Sequence, residues 1–545
     1  MKKIAKFLIV LGMMGQLSSC DYLDIVPDER AQESDTWKTE GAVRGYLYSC
    51  YGYLPANRTF GNSYWLAEEL TAVTKELFTT FKYGYYSPVS LGFTSNTWST
   101  IWNGIHQCYM FQESLKQVSN EYVTDEMKKQ YLAESNFLIA YYHFLSMRSY
   151  GPTMIIRSVI DLETPISGFP ERSSIDEVVA FINEKLDEAM SEGGLPTTWS
   201  GKDYGRATRL AALALKSRVY LYAASPLYNG NTEMYADFRS PLDGRQLIAQ
   251  EKSQAKWEIS ATQTKYAIDE VEKAKFHLYH DADAGEPSDA KPGLPNKAQR
   301  RLRYTNIDNQ TGNNPEIIWA DTRNDDYYGI QRRCPPRQTL GGKFAGISMT
   351  NCPTLQTIEA FYTKNGLPIN KDKTFDYDER YEYISAPENC DGNNYEDLVK
   401  YANFTPSSDK VMRLCTDREP RFYAWTTYHN GYFEFGKYNN EEISADPAKR
   451  AIRIHLLRDD PHGRGNRTDQ EYSISGFGNK KGVVPSAEWN VIEYPFPLFR
   501  LAELYLNYAE ALVELDRLSE AKVYLDKVRE PVSYTHLTLP TIRLV

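Results

Sequence analysis

The 545-residue chain carries a net charge of −10, with 62 Lys and Arg against 72 Asp and Glu. That balance argues against a nucleic-acid partner, which needs clustered cationic side chains, while the length allows a large buried core. Tyrosine is abundant at 41 residues. A ring with one wet end suits a protein with much contact surface, although part of the excess must serve ordinary packing.

Lys2, Lys3 and Lys6 precede a short apolar run, Phe7 to Met14, and small residues follow at Ser18 and Ser19. This order predicts a secretory signal over residues 1–19, and the run is shorter than the ~20 residues that span a bilayer. Leu17-Ser18-Ser19-Cys20 fits a bacterial lipobox, so Cys20 is the expected lipidation site and the mature chain is expected to be anchored rather than spanning. Asp21 to Glu33 reads as a polar tether.

Helical patterns follow in series. Trp98, Ile101, Trp102, Ile105 and Tyr109 share one helix face, and so do Leu138, Tyr141, Tyr142 and Leu145, with Gly151-Pro152 as a stop. Ser174-Ile175-Asp176-Glu177 is a capping box that opens a helix with Ile175, Val178, Val179, Ile182 and Leu186 inward. Ala212, Leu215, Val219, Tyr222 and Ala223 line another, ended by Ser225-Pro226. Trp257, Ala261, Ile268 and Val271 mark a further helix. Between about Asp281 and Tyr494 the texture changes to Gly, Pro, Asn and Asp, broken by strand-like runs such as Glu316 to Ala320. Long irregular segments of this kind tend to be functional. Leu501, Leu504, Tyr505, Tyr508, Leu512 and Leu515 then form the cleanest stripe, and a short helix over 519–530 closes the pattern.

The expected fold is therefore mainly α: helix pairs of tetratricopeptide type without a strict 34-residue repeat, packed with a loop-rich region containing short strands. Cys50, Cys108, Cys334, Cys352, Cys390 and Cys415 are scattered, with no C-x-x-C, so no zinc site is expected. One or two disulfides are compatible with export, but spacing does not pair them.

Several blocks resemble the SusD/RagB family of nutrient-uptake lipoproteins, in that family's order. The lipobox followed by Asp21-Tyr22-Leu23-Asp24 is similar to its mature start. Ala133 to Phe144 with Tyr150-Gly151-Pro152, Gly205 to Pro226, Asp417 to Tyr423, and Phe499 to Ala511 are similar to its signature blocks. The resemblance implies helix pairs capped by an irregular region and capture of oligosaccharides, or in some members peptides, outside the cell. It implies a SusC-like TonB-dependent outer-membrane barrel as partner, and a lipid-anchored place on the cell surface. The blocks are scaffold in that family and do not name the ligand. On this reading residues 20–280 form the N-terminal helical region and 281–530 the loop-rich and C-terminal region. After Glu530 the sequence departs from the family at Pro531, and residues 531–545 read as a non-native tail.

Sugar C–H bonds lie well on aromatic faces, and hydroxyls want polar side chains beside them. The candidate ligand-binding residues are accordingly Tyr83, Tyr85 and Tyr86 in a Gly-containing segment, Asn96 and Trp98 just after it, and Asp325, Tyr327 and Tyr328 in a polar run. Plainer readings stand beside them: helix core for Trp98, a surface turn for Asn324 to Tyr328. Tyr428-His429-Asn430-Gly431-Tyr432 reads first as a hairpin tip. No catalytic motif of the G-x-S-x-G or H-E-x-x-H kind occurs, and neither Glu68-Glu69 nor Asp325-Asp326 reads as more than solvated surface. His277 and His280 lack a third ligand, and Asp281-x-Asp283 lacks the rest of a calcium loop. No cofactor, metal or catalysis is expected. The leading expectation is glycan capture and delivery to the barrel. Peptide capture, a surface glycoside hydrolase and a structural adaptor are the alternatives.

Overall fold

A computed structural model describes residues 37–55, 68–72, 87, 94–161, 163–284, 297–308, 314–323, 329–336, 349–385, 410–434, 451–460, 462–465, 472–484 and 493–529. The fold is mainly helical, as the periodicity requires. Helix α1 spans Glu40–Tyr51, α2 Thr94–Leu115, α3 Asp125–Tyr150, α4 Ile175–Ala189, α5 Arg209–Ala224 and α6 Gln254–Lys273. In the second half lie α7 (Lys297–Tyr304), α8 (Leu355–Ala360), α9 (Pro420–Trp425), α10 (Leu501–Glu514) and α11 (Leu518–Arg529).

Local chemistry sets the helix ends. The Ser174 hydroxyl accepts from the Glu177 amide and the Glu177 carboxylate accepts from the Ser174 amide, so the expected capping box opens α4. Thr124 and Thr208 cap α3 and α5 through their hydroxyls. Gly151, at φ 71°, ends α3 in a backbone conformation that side-chained residues rarely adopt. The inward stripes are those of the sequence: Ile101 and Ile105, Leu138 and Tyr142, Val178 and Ile182, Leu215 and Val219, Trp257 and Ile268, Leu504 and Leu512 are all buried in one continuous core. Helices adjacent in sequence pack as pairs, α2 on α3, α3 on α4, α5 on α6 and α10 on α11, and α10 also covers α6.

Two differences from expectation have simple causes. Helix α1 has only Val43, Leu47 and Cys50 buried, a stripe too short to stand out. Helices α7, α8 and α9 lie in the stretch expected to be loops and strands; at 8, 6 and 6 residues they span too few turns to print a period. The described cysteines Cys50, Cys108, Cys334, Cys352 and Cys415 are all buried, and none of them forms a disulfide with another described cysteine. Cys20, Cys390, the N-terminal segment and the 531–545 tail lie outside the described residues. No described helix is long and apolar enough to cross a membrane.

The strand-like run around Glu316 is real. Strand β4 (Ile317–Asp321) pairs antiparallel with β12 (Phe496–Arg500), with Phe496 opposite Asp321 and Phe499 opposite Trp319. Strand β12 runs directly into α10, and Trp319 meets Phe137, Tyr141 and Phe499. The loop region is thereby welded to the helices. Its own satellite core gathers Ile358, Ile369, Phe375, Leu414, Phe422, Tyr423, Tyr428 and Phe477. Tyr428 is thus a packing residue, and the chain turns at Asn430, where φ is 63°.

Each signature block places a charged side chain below the surface and satisfies it. Glu134 of α3 is fully buried, accepting from Arg206 Nε at 3.2 Å, Arg206 Nη2 at 2.5 Å and the Tyr51 hydroxyl at 2.6 Å. Tyr51 Oη in turn accepts the Ala207 amide, and Arg206 also reaches Asp203 at 2.7 Å and stacks on Trp199. Burial holds the Glu134 carboxyl above its ordinary range even against these donors. Arg218 of α5 grips Glu503 of α10 with two bonds of 2.6 Å and donates to the Leu498 carbonyl. Arg418 donates to the carbonyls of Leu414, Ile358, Phe361 and Tyr362.

Two outcomes follow for folding. Glu134→Ala strips the Arg206 guanidinium of its buried carboxylate, leaving only Asp203, and should cost about 3–5 kcal/mol in urea unfolding. Glu134→Leu with Arg206→Met should cost far less than the two single changes summed; additivity would show that the pair is not coupled. His143 is the second case. It is wholly buried, its Nδ1 donating to the Ile139 carbonyl at 2.7 Å and its Nε2 accepting the Ile156 amide at 3.3 Å. Burial holds its pKa down at about 4. The unfolded chain therefore takes up this proton first, and the stability present above the ordinary histidine value is lost as pH falls toward 4. The loss amounts to roughly 3 kcal/mol from this group. His143→Gln should flatten that fall across pH 7 to 4, and equal slopes in both proteins would sink the assignment.

Candidate functional site

Where the loop region meets β12 the chain leaves a cavity of about 630 Å³, within the ~300–1,000 Å³ typical of small-ligand sites. Its walls come from distant parts of the sequence. Glu69 and Leu70 arrive on β1 (Leu70–Thr71), which pairs with β5 (Cys352–Pro353), so Pro353 and then Thr357 and Phe361 of α8 stand beside them. Arg421 and Trp425 project from α9, and Thr426 follows on β8 (Thr426–Thr427). Asn479 belongs to β11 (Gly478–Asn479), which pairs with β8. Arg500 closes the wall from β12.

The loop after β11 is the tightest part. The Asn479 side chain accepts the Lys481 amide at 3.1 Å and donates to the Lys481 carbonyl at 3.2 Å, fixing that residue's backbone. Gly482 then turns at φ 78°, and a Cβ there would meet Ile330 Cδ1 at 2.7 Å, so only glycine fits. The Tyr494 hydroxyl donates to the Gly482 carbonyl at 2.8 Å. Trp425 is held by its indole N–H, which donates to the Leu302 carbonyl at 3.1 Å.

Three cations line the cavity, and they are not alike. Arg421 is bidentate on Glu419, with Nη2 to Oε1 at 2.8 Å, and Arg500 reaches Glu316 at 2.8 Å. Lys481 extends its ammonium over the Trp425 ring at 4.8 Å. Among the described residues its Nζ makes no hydrogen bond and no ion pair within 4.0 Å. The side chain is open to water in the cavity yet ringed by protein. That enclosure lowers its pKa to about 8, with Arg500 and Arg421 pushing the same way and Glu69 opposing. Glu69 is the one carboxylate in the described lining.

None of the residues expected from sequence is among the described residues of the cavity wall. Tyr83, Tyr85, Tyr86, Asp325, Tyr327 and Tyr328 lie outside the described residues. Asn96 sits in the first turns of α2. Trp98 is half-buried, edge-on to Tyr150 at 4.9 Å and to Trp102 at 5.3 Å. Arg323 donates to the carbonyls of Gly52, Leu54 and Pro55, and Ile330 lines the cavity. Sequence reasoning missed Trp425, Lys481 and Arg500 as wall residues. Arg421 and Arg500 stood inside blocks assigned to scaffold, and nothing local to Lys481 marks it.

This mainly helical architecture of packed helix pairs with only small strand pairs is a SusD-like fold. The SusD family model matches residues 315–543. A SusD-like model described as "starch-binding associating with outer membrane" matches residues 21–221. The chain belongs to the SusD/RagB family. Among solved structures, BT4246 superposes with a TM-score of 0.74 at 27% identity, covering 92% of this chain and 83% of its own. A SusD-like protein (BF3747) from Bacteroides fragilis gives 0.64 at 20% identity, covering 94% and 82%. Surface glycan-binding protein A from Bacteroides uniformis gives 0.53 at 14% identity, covering 92% and 83%. The latter two likenesses concern the fold. No curated protein sequence matches the chain.

The Lys481 amine should react with trace acetic anhydride along a titration centred near pH 8, well below ordinary lysines. Peptide mapping of the labelled chain reads this directly; a midpoint at the ordinary lysine value would show that the ammonium is not enclosed.

Proposed function

We propose that this chain is a cell-surface glycan-binding lipoprotein, anchored through Cys20, that captures oligosaccharides without cleaving them. Delivery to a SusC-like TonB-dependent barrel is the second half of the proposal, and it rests on the family. The observation that carries the capture reading is the cavity. Trp425 and Phe361 offer ring faces for the weakly positive C–H side of a sugar. Asn306, Arg421 and Arg500 stand where hydroxyls need partners. Hydroxyls exchange water for these groups at little net gain, so binding at this one site is expected to be modest.

Tyr83, Tyr85, Tyr86, Asn96, Trp98, Asp325, Tyr327 and Tyr328 remain the proposed outer contacts. Tyr327 and Tyr328 are proposed as rim residues because they stand in a polar, loop-like run of the sequence. The division near residue 280, with helices before it and the site-bearing region over 281–530, belongs to the same proposal.

Affinity-gel electrophoresis with the purified mature chain is the test. Retardation by at least one polysaccharide is expected, weakened at least fivefold by Trp425→Ala and to a lesser degree by Tyr327→Ala. No retardation on any glycan would remove the reading, and shortened products from a retained glycan would make the protein a hydrolase. Co-purification of a large barrel after mild detergent extraction tests the delivery step, and an anchored protein recovered alone would overturn it.

A further inference from the structure

We infer that the glycan taken by this cavity bears a carboxylate, as a uronic acid does, and that Lys481 is its ionic partner. The inference rests on the glycan-capture reading above and narrows it to a substrate class.

The charge arrangement in the wall carries it. Two of the three lining cations are already committed. Glu419 stands behind Arg421 with its side chain 4% exposed, and it also accepts the Tyr362 amide at 2.9 Å. Glu316 stands behind Arg500, likewise 4% exposed, and accepts the Tyr279 amide at 3.0 Å. Both carboxylates are pinned by backbone amides and cannot swing toward a third cation. Lys481 is left with the face of Trp425 and open cavity.

A ring face attracts an ammonium but does not neutralise it. Among the described residues no carboxylate lies within ion-pair distance of this ammonium, so water solvates it, and a neutral sugar would displace that water while bringing only hydroxyls. A ligand carboxylate beside Nζ supplies both the missing charge and strong acceptors, since charge-assisted bonds are roughly twice as strong as neutral ones. Lys481 and Trp425 border the same space, so a ligand carboxylate at Nζ brings its sugar ring alongside the indole. Glu69, whose backbone carbonyl is tied to Thr354 and Thr357, is the carboxylate of the described lining. It favours a ligand with one carboxylate per residue over a densely sulfated one. The chain's net charge of −10 works against indiscriminate binding to polyanions, so retention by an acidic polymer reports a local site.

The test uses the full mature chain in native gels cast with polygalacturonate, alginate or hyaluronate, against starch, xyloglucan and mannan. Retardation is expected in at least one acidic gel, weakened at least tenfold by Lys481→Met and largely retained by Lys481→Arg, with circular dichroism confirming that both variants fold. Chemical reduction of that polymer's carboxyl groups to alcohols should abolish the retardation of the unmodified protein. Retardation only in neutral gels would overturn the carboxylate inference and leave glycan capture standing. Failure in every gel would overturn both. Acidic-gel retardation that Lys481→Met leaves unchanged would remove Lys481 from the site.

Discussion

A guanidinium drawn below the surface must find acceptors for its whole planar fork, and much of this molecule is arranged around that demand. Arg206, Arg218 and Arg418 each sit within or beside a layer contact and each is met by a carboxylate or a ring of carbonyls. The Glu134–Arg206–Tyr51 cluster ties α1, α3 and the approach to α5 together. Arg218 ties α5 to α10 across 285 residues of sequence. Such pairs add little net stability compared with well-packed apolar residues, but they tolerate no substitute partner. They fix which helix meets which.

The cavity inherits its shape from the same constraint. Arg418 holds α8 against the turn before α9 by donating to carbonyls of Ile358 and Phe361, and so sets where Arg421 and Trp425 emerge. Arg500 caps the opposite wall because β12 must pair with β4 before α10 can begin. Lys481 is the exception that gives the site its character: among the described residues the wall gives it ring contact and space, and no ion pair.

The helical scaffold was legible in the sequence because long amphipathic periods, such as the 14 residues of α10, survive on a single strand of text. The capping box at Ser174 and the stops at Gly151 and Ser225 are local chemistry and fell where expected. Helices of one or two turns, such as α8 and α9, leave no period to read. The site was less legible for a different reason. Loop aromatics such as Tyr327 announce themselves by composition, whereas Trp425 and Arg500 look like core and signature residues until the fold brings β1, α9 and β12 around one space. The isolation of Lys481 is a relation among Glu419, Glu316 and Glu69, and no spacing along the chain encodes it.

The staple between β4 and β12 has an evolutionary side. Asp321 and Phe496 face one another across it, so everything between them departs from and returns to one point on the helical body. Closing a longer or shorter excursion from fixed ends changes the entropy only logarithmically. The ligand-facing half can therefore be lengthened, trimmed or exchanged wholesale while the helix pairs keep their seats. A single inherited chassis could in this way be refitted for many different meals.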